Sequence, residues 1–205
     1  QNPRAGVVLL DRRMQMPHMD IPKADETLVA ELSAGSDAAL TELVARHGRW
    51  LRGVVYSVLG RTDELDDVAQ QVWSSVWQRR AELGDIRNWR NWLYTAGRRT
   101  AIDAGRSRGR RRRLKQTVAD RPSRPSHDGA EPSRKLILAD QVRQTVEAVG
   151  ELPEKYRTVL VLRVWQEQSY EQIADTLGLP AATVGTRLVR ARQMLRKKMS
   201  DGSES

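Results

Sequence analysis

Apolar residues Leu40, Leu43, Val44, Leu51, Val54, Val55 and Val58, with His47 among them, recur at the three-and-four spacing of an amphipathic helix. Ser36 or Asp37 stands where an N-cap belongs and Gly60 lies beyond the end, so the helix has a start and a stop. A second period begins near Thr62 and carries Leu65, Val68, Ala69, Val72, Trp73 and Val76 on one side. It opens with Asp63, Glu64, Asp66 and Asp67, whose carboxylates complement the positive end of a helix dipole. A third helix is predicted from about Trp89 through Trp92, Leu93, Ala96 and Thr100 into a run of arginines, and a short one near residues 27–33 precedes them all. No stretch alternates polar and apolar as a half-buried strand does, so this part of the chain reads as a helical bundle.

The same reading applies further on. A helix is predicted at residues 136–149, and another after Leu152-Pro153, with Val159, Leu160, Leu162 and Val164 marking it as buried. Ser169 and Gln172 then form the sequence of a capping box, with Ile173, Ala174 and Leu177 on an inner face, and Gly178 suits the left-handed residue that ends a helix. After a short turn, Val184, Leu188, Ala191 and Leu195 share one face of the next helix, leaving Thr183, Thr186, Arg187, Arg190 and Lys197 outward. Two short helices joined by a glycine turn, the second basic on its outer side, are the pattern of a helix-turn-helix that places its second helix in the DNA major groove.

Charge sharpens this division. Of a formal net charge of +9 over 205 residues, +8 falls on residues 105–135, where the arginines of 110–113 are followed by a Pro, Ser and Gly-rich stretch with almost no apolar residue. Such a segment buries too little to offset its ordering entropy. The expected architecture is all-α: two small helical domains joined by a flexible basic linker, the second domain containing the helix-turn-helix. The boundaries are a disordered arm at 1–24, a first domain at 25–106, the linker at 107–135, a second domain at 136–199 and a tail at 200–205. Cysteine is absent and the three histidines are scattered, so neither disulfides nor a thiolate metal site staple the domains. With no signal-peptide pattern and no apolar run of membrane-spanning length, a cytoplasmic protein is expected.

Residues 181–200 hold six Lys or Arg and no acid, an asymmetry that favours DNA contact over an ordinary solvated face. Asp67, Gln70 and Gln71 lie at three-and-four spacing, making a polar stripe beside the apolar one, as a docking surface for a basic partner requires. In Ile86-Arg87-Asn88-Trp89-Arg90-Asn91-Trp92, aromatics interleave with Arg and Asn, a composition suited to unstacked bases, although core packing serves Trp92 better and Trp89 equally well. Trp73, Trp77 and Trp165 fit core or partner packing. A glycine-rich phosphate loop, a nucleophile–base set and a carboxylate cluster at metal-ligand spacing are all missing, which argues against an enzyme and against any cofactor or metal.

At this point most of the chain resembles a known family, the extracytoplasmic-function (ECF) sigma factors of bacterial RNA polymerase, reduced to their region 2 and region 4 domains. Asp66-Asp67-Val68-Ala69-Gln70-Gln71-Val72-Trp73 and Trp92-Leu93-Tyr94-Thr95-Ala96-Gly97-Arg98-Arg99-Thr100-Ala101-Ile102-Asp103 are similar to its region 2 signatures. Leu152-Pro153 through Arg157, Ser169-Tyr170-Glu171-Gln172-Ile173-Ala174 and the stretch from Thr183 to Arg192 are similar to region 4. The resemblance implies a factor that binds core RNA polymerase, recognises and melts promoter DNA, and performs no chemistry itself. It carries core-polymerase contacts to Asp66, Asp67, Gln70 and Gln71, with Trp73 and Trp77 beside them. It places the melted minus-10 strand against Leu83, Arg87, Asn88, Trp89, Arg90, Arg98 and Arg99. It assigns the minus-35 duplex to Ser169, Tyr170, Thr183, Thr186, Arg187, Val189 and Arg190. It also implies that the basic linker passes through the polymerase, and it allows an anti-sigma factor as a further partner.

Gln71, Arg99, Ala182 and Gly185 depart from the family pattern, so its promoter sequences do not carry over. A stand-alone helix-turn-helix regulator is the rival reading, and a nucleic-acid-processing enzyme the second. The acidic-glutamine stripe and the Trp-Leu-Arg signature speak against the first, the missing catalytic set against the second.

Overall fold

A computed structural model describes residues 23–116 and 134–201. The arm at 1–22, most of the linker and the last four residues lie outside it, so the expectations placed on them have no structural counterpart. The described residues form helices and turns, with no strand among them.

The first lobe holds α1 (Asp25–Ser33), α2 (Asp37–Leu59), α3 (Leu65–Gln78), a single 3-10 turn (Arg80–Glu82) and α4 (Trp89–Gln116). The capping chemistry works as the sequence suggests. Ser36 accepts from the Ala39 backbone N–H to open α2, and Gly60 at φ 69° closes it. The predicted apolar stripe becomes the core: Leu43, Leu51, Val54 and Val55 of α2 meet Val68, Val72 and Val76 of α3, Leu93 of α4 and Leu32 of α1. Each such side chain contributes on the order of 1.5–3 kcal/mol on burial. α4 crosses α2 closely at Gly97, where a Cβ would stand 2.7 Å from Leu51 Cδ1.

The second lobe holds α5 (Arg134–Gly150), α6 (Glu154–Val164), α7 (Tyr170–Leu177) and α8 (Ala181–Asp201). Both halves of the Ser169–Gln172 capping box are formed, and Gly178 at φ 62° turns the chain from α7 toward α8. Val159 and Leu162 of α6, Ile173 of α7, and Val184, Leu188 and Ala191 of α8 make its core.

Two features differ from the sequence reading. α4 continues to Gln116, so residues 107–116, expected as linker, are helical. Their helix formers outweigh their charge: Arg and Lys have high intrinsic propensity, and no proline follows α4 before Pro122. Arg108 pairs with Asp63 and Glu64 at the start of α3, which fixes the extension to the first lobe. The lobes are also in contact, with α6 packed along α2, and Tyr56 of α2 is buried in the core of the second lobe.

Candidate nucleic-acid interface

Three surfaces carry the residues singled out from the sequence. On α3, the apolar side is sealed in the core, which turns Asp66, Asp67, Gln70 and Gln71 to solvent. Asp66 Oδ1 accepts from Arg52 Nε at 2.6 Å, a pair whose acid side chain is 82% exposed and so within reach of an incoming partner. Trp73 and Trp77 are half-buried against the core, and the Arg80 guanidinium lies 4.2 Å from the Trp77 ring centroid. Asp63 and Glu64 face Arg61 and Arg108 instead. Burial alone would raise the Glu64 carboxyl, but hydrogen bonds and charges from the two arginines together outweigh it and hold the group below its usual range.

The second surface runs from the loop before α4 along that helix. Arg87, Asn88, Arg98 and Arg99 are exposed, and Asn88 caps α4 by accepting from the Asn91 backbone N–H at 3.0 Å. Two residues expected to touch DNA do not face solvent. Leu83 and Trp89 are each 1% exposed, and the Trp89 ring stacks on Trp92 at 5.4 Å between centroids. The reason is position: Trp89 begins α4 on the side that meets the bundle, and its large apolar area outweighs a role in stacking. Arg90 is half-buried, its guanidinium 5.2 Å from the Trp50 ring, and this desolvation lowers its pKa.

The third surface belongs to α7 and α8. Thr186, Val189 and Arg190 are exposed, Thr183 and Arg187 are half-buried, and Val189 is an unusually open apolar side chain at 54%. The Ser169 hydroxyl accepts from Gln172 N–H, so it is engaged in the cap. The Tyr170 ring lies over Gly185, where a Cβ would meet it at 3.6 Å, with the Arg163 guanidinium 5.7 Å from the ring centroid. Sequence reading missed Lys155 and Tyr156 at the start of α6. They line one groove of about 330 Å³ with Thr183, Thr186, Arg187 and Arg190. A hydrogen bond from Arg190, aided by Lys155, holds the Tyr156 phenol below its usual range. No periodicity marks these two, because only the packing of α6 on α8 brings them there.

A larger cleft, about 1150 Å³, separates the lobes and is lined by Arg98, Arg99 and Arg106 from α4, Lys155 from α6 and Arg187 from α8. Glu154 offsets part of that charge through an ion pair with Arg98 at 2.9 Å. Among the described residues no His, Cys, Asp or Glu group could hold a metal ion, and no helix is long and apolar enough to cross a membrane.

Fold and surfaces define a two-lobed, all-helical protein whose exposed basic side chains gather on α4 and α8. Residues 43–111 match the family model for sigma-70 region 2, and residues 143–195 that for sigma-70 region 4. The RNA polymerase sigma-H factor of Pseudomonas aeruginosa is 30% identical over 183 residues, spanning 85% of this chain and 93% of that protein. The ECF sigma factor SigW of Bacillus subtilis is 26% identical over 178 residues, 84% of this chain and 95% of that one. A solved structure of CnrH in complex with the cytosolic domain of CnrY is 26% identical, with a TM-score of 0.61 over 87% of this chain and 99% of that chain. The chain belongs to the sigma-70 family, among its ECF members, and is an RNA polymerase sigma factor that directs transcription initiation.

Proposed function

We propose that the three surfaces divide the work of initiation. The α3 stripe of Asp66, Asp67, Gln70 and Gln71, flanked by Trp73 and Trp77, docks on core polymerase. Arg87, Asn88, Arg98 and Arg99 hold the melted minus-10 strand, and the outer face of α8 with Tyr170 binds the minus-35 duplex. Binding energy from these contacts is spent on opening the promoter, and polymerase supplies the bond-making, so the factor itself acts in the cytoplasm without an enzymatic step. Phosphate contacts position such a protein, while base-edge contacts from Thr183, Thr186 or Arg187 would give sequence preference. CnrH is solved in complex with the cytosolic domain of CnrY, and a protein that binds this chain as an anti-sigma factor is the regulator we expect here.

The observation that carries the reading is the separation of charge by surface. Acids and glutamines face outward on α3 beside a sealed apolar side, and α8 presents arginines with no acid between residues 181 and 200. Asp67→Arg should therefore keep its helicity and lose core-polymerase affinity by tenfold or more. Arg187→Ala should keep polymerase affinity and lose minus-35 duplex binding. A folded Asp67→Arg chain that binds core polymerase as tightly as the wild type would remove α3 from the interface.

A further inference from the structure

Where the start of α6 packs beside α8, six polar side chains line one groove of about 330 Å³: Lys155, Tyr156, Thr183, Thr186, Arg187 and Arg190. Three are cations, three carry hydroxyls, and no acid is among the described residues that line it. The acids close by in the chain are turned to other cations, Glu154 to Arg98 at 2.9 Å and Glu151 to Lys198. The groove therefore gathers donors and positive charge with no carboxylate of its own to answer them, which is the chemistry of a seat for an anion.

Tyr156 marks where an anionic oxygen would sit. Its phenol oxygen accepts a hydrogen bond from Arg190, and the Lys155 ammonium lies 5.0 Å from the centre of its ring. The hydrogen bond from Arg190 and the charge of Lys155 hold the phenol below its usual pKa, as expected where cations converge on one oxygen. A phenol that accepts still has its O–H to donate, and an O–H given to an ionised oxygen is among the stronger hydrogen bonds. Lys155 is exposed and brings three further donors.

Position decides which anion fits. An α-helix with its side chains is about 10–12 Å across, and the DNA major groove is about 12 Å wide. A helix seated there fills the groove, so groups on an element packed beside it meet the sugar–phosphate rim and not the base edges. Lys155 and Tyr156 belong to α6, beside the α8 face that carries Thr183, Thr186, Arg187 and Arg190. We propose that Lys155, Tyr156 and Arg190 together seat one backbone phosphate at the edge of the minus-35 element, a contact that sets how α8 lies in the groove without reading sequence. This rests on the assignment of the outer face of α8 to that duplex made above. It divides the work there: Thr183, Thr186 and Arg187 are left for base edges, while the α6 side supplies affinity and register.

The test uses the full chain bound to core polymerase, on promoter duplexes in which single phosphates across the minus-35 element are replaced, one at a time, by uncharged methylphosphonates. At one phosphate the replacement should weaken wild-type binding about tenfold. Lys155→Gln and Tyr156→Phe should each lose no more than about threefold at that same phosphate, because part of its partner set is already gone. Variants that respond as the wild type does at every phosphate, or that respond differently at two separate phosphates, overturn the seat. Lys155→Gln should also lower the salt slope by about one and weaken intact and base-substituted minus-35 elements by the same factor. A loss that changes with base sequence would make Lys155 a reader and overturn the proposal. Lys155 is exposed, so its variant decides alone should Tyr156→Phe fail to fold. Duplex binding that is indifferent to Arg187→Ala as well would sink the assignment of α8 to DNA, and the seat with it. A loss on Arg187→Ala with no shared phosphate sinks the seat alone.

Discussion

At the scale of single residues, His47 and Arg157 show how burial turns ordinary side chains into stability determinants. His47 Nε2 lies 2.8 Å from Asp25 Oδ2, yet burial outweighs that carboxylate and pushes the imidazole below its ordinary pKa near 6.5. The unfolded chain therefore takes up a proton near pH 6.5 that the folded chain refuses, so stability declines as pH falls below that value. Thermal melts at pH 7.5 and pH 5.5 should show this decline, and His47→Gln should flatten it. An equal decline in the variant would assign the effect to other groups. For Arg157, whose guanidinium donates to the carbonyls of Ser57, Val58, Gly150 and Leu152, the expectation is larger, since Arg157→Met leaves them without donors. A loss of about 3 kcal/mol or more is expected in urea unfolding. The sequence signals these two residues differently. His47 stands on a predicted apolar face and its burial is legible, whereas nothing local to Arg157 reveals that its partners lie at Ser57 and Val58, far back along the chain in the other lobe.

At the scale of elements, legibility follows the helical period. The stripes of α2 and α3 and the cap of α7 are readable because each is fixed by residues within one or two turns. The end of α4 is not, because the arginines of residues 110–113 read as disorder by charge and as helix by propensity, and the deciding interaction is Arg108 with Asp63 and Glu64. Trp89 and Leu83, one suggested by composition and resemblance and the other by resemblance alone, are buried in the first lobe; only packing shows which way a side chain points. Gly185 permits a test of α8 itself. A Cβ there meets only the Tyr170 ring, at ordinary van der Waals distance, and alanine exceeds glycine in helix propensity by about 1 kcal/mol. Gly185→Ala should therefore raise the melting temperature by a few degrees, and a lower one would mean that the glycine relieves a strain not visible in the free chain.

At the scale of the whole molecule, the helical state of residues 110–116 changes how its charge should be tested. A Gly/Ser replacement would remove charge and helix together, whereas glutamine keeps the helix and deletes only the charge. Arg110, Arg111, Arg112 and Arg113 all changed to Gln should leave circular dichroism nearly unaltered. If the segment lies along nucleic acid, the salt dependence of promoter-complex formation should flatten by roughly one unit of slope for each phosphate that the arginines no longer neutralise. An unaltered salt slope with normal run-off would make α4's extension purely mechanical.

That extension also sets a length. α4 is anchored to its lobe through Arg108, and α5 starts at Arg134, so only residues 117–133 join the two fixed ends. However those residues are arranged, covalent geometry allows them no more than about 60 Å from end to end. Two lobes joined in this way can stand no further apart than that tether allows. Adding one base pair between the promoter elements asks for about 3.4 Å more opening but also turns one element by about a tenth of a helical turn relative to the other. A ceiling on reach does nothing to correct such a rotation, so spacer length should be felt by this factor as a matter of angle before it is felt as distance.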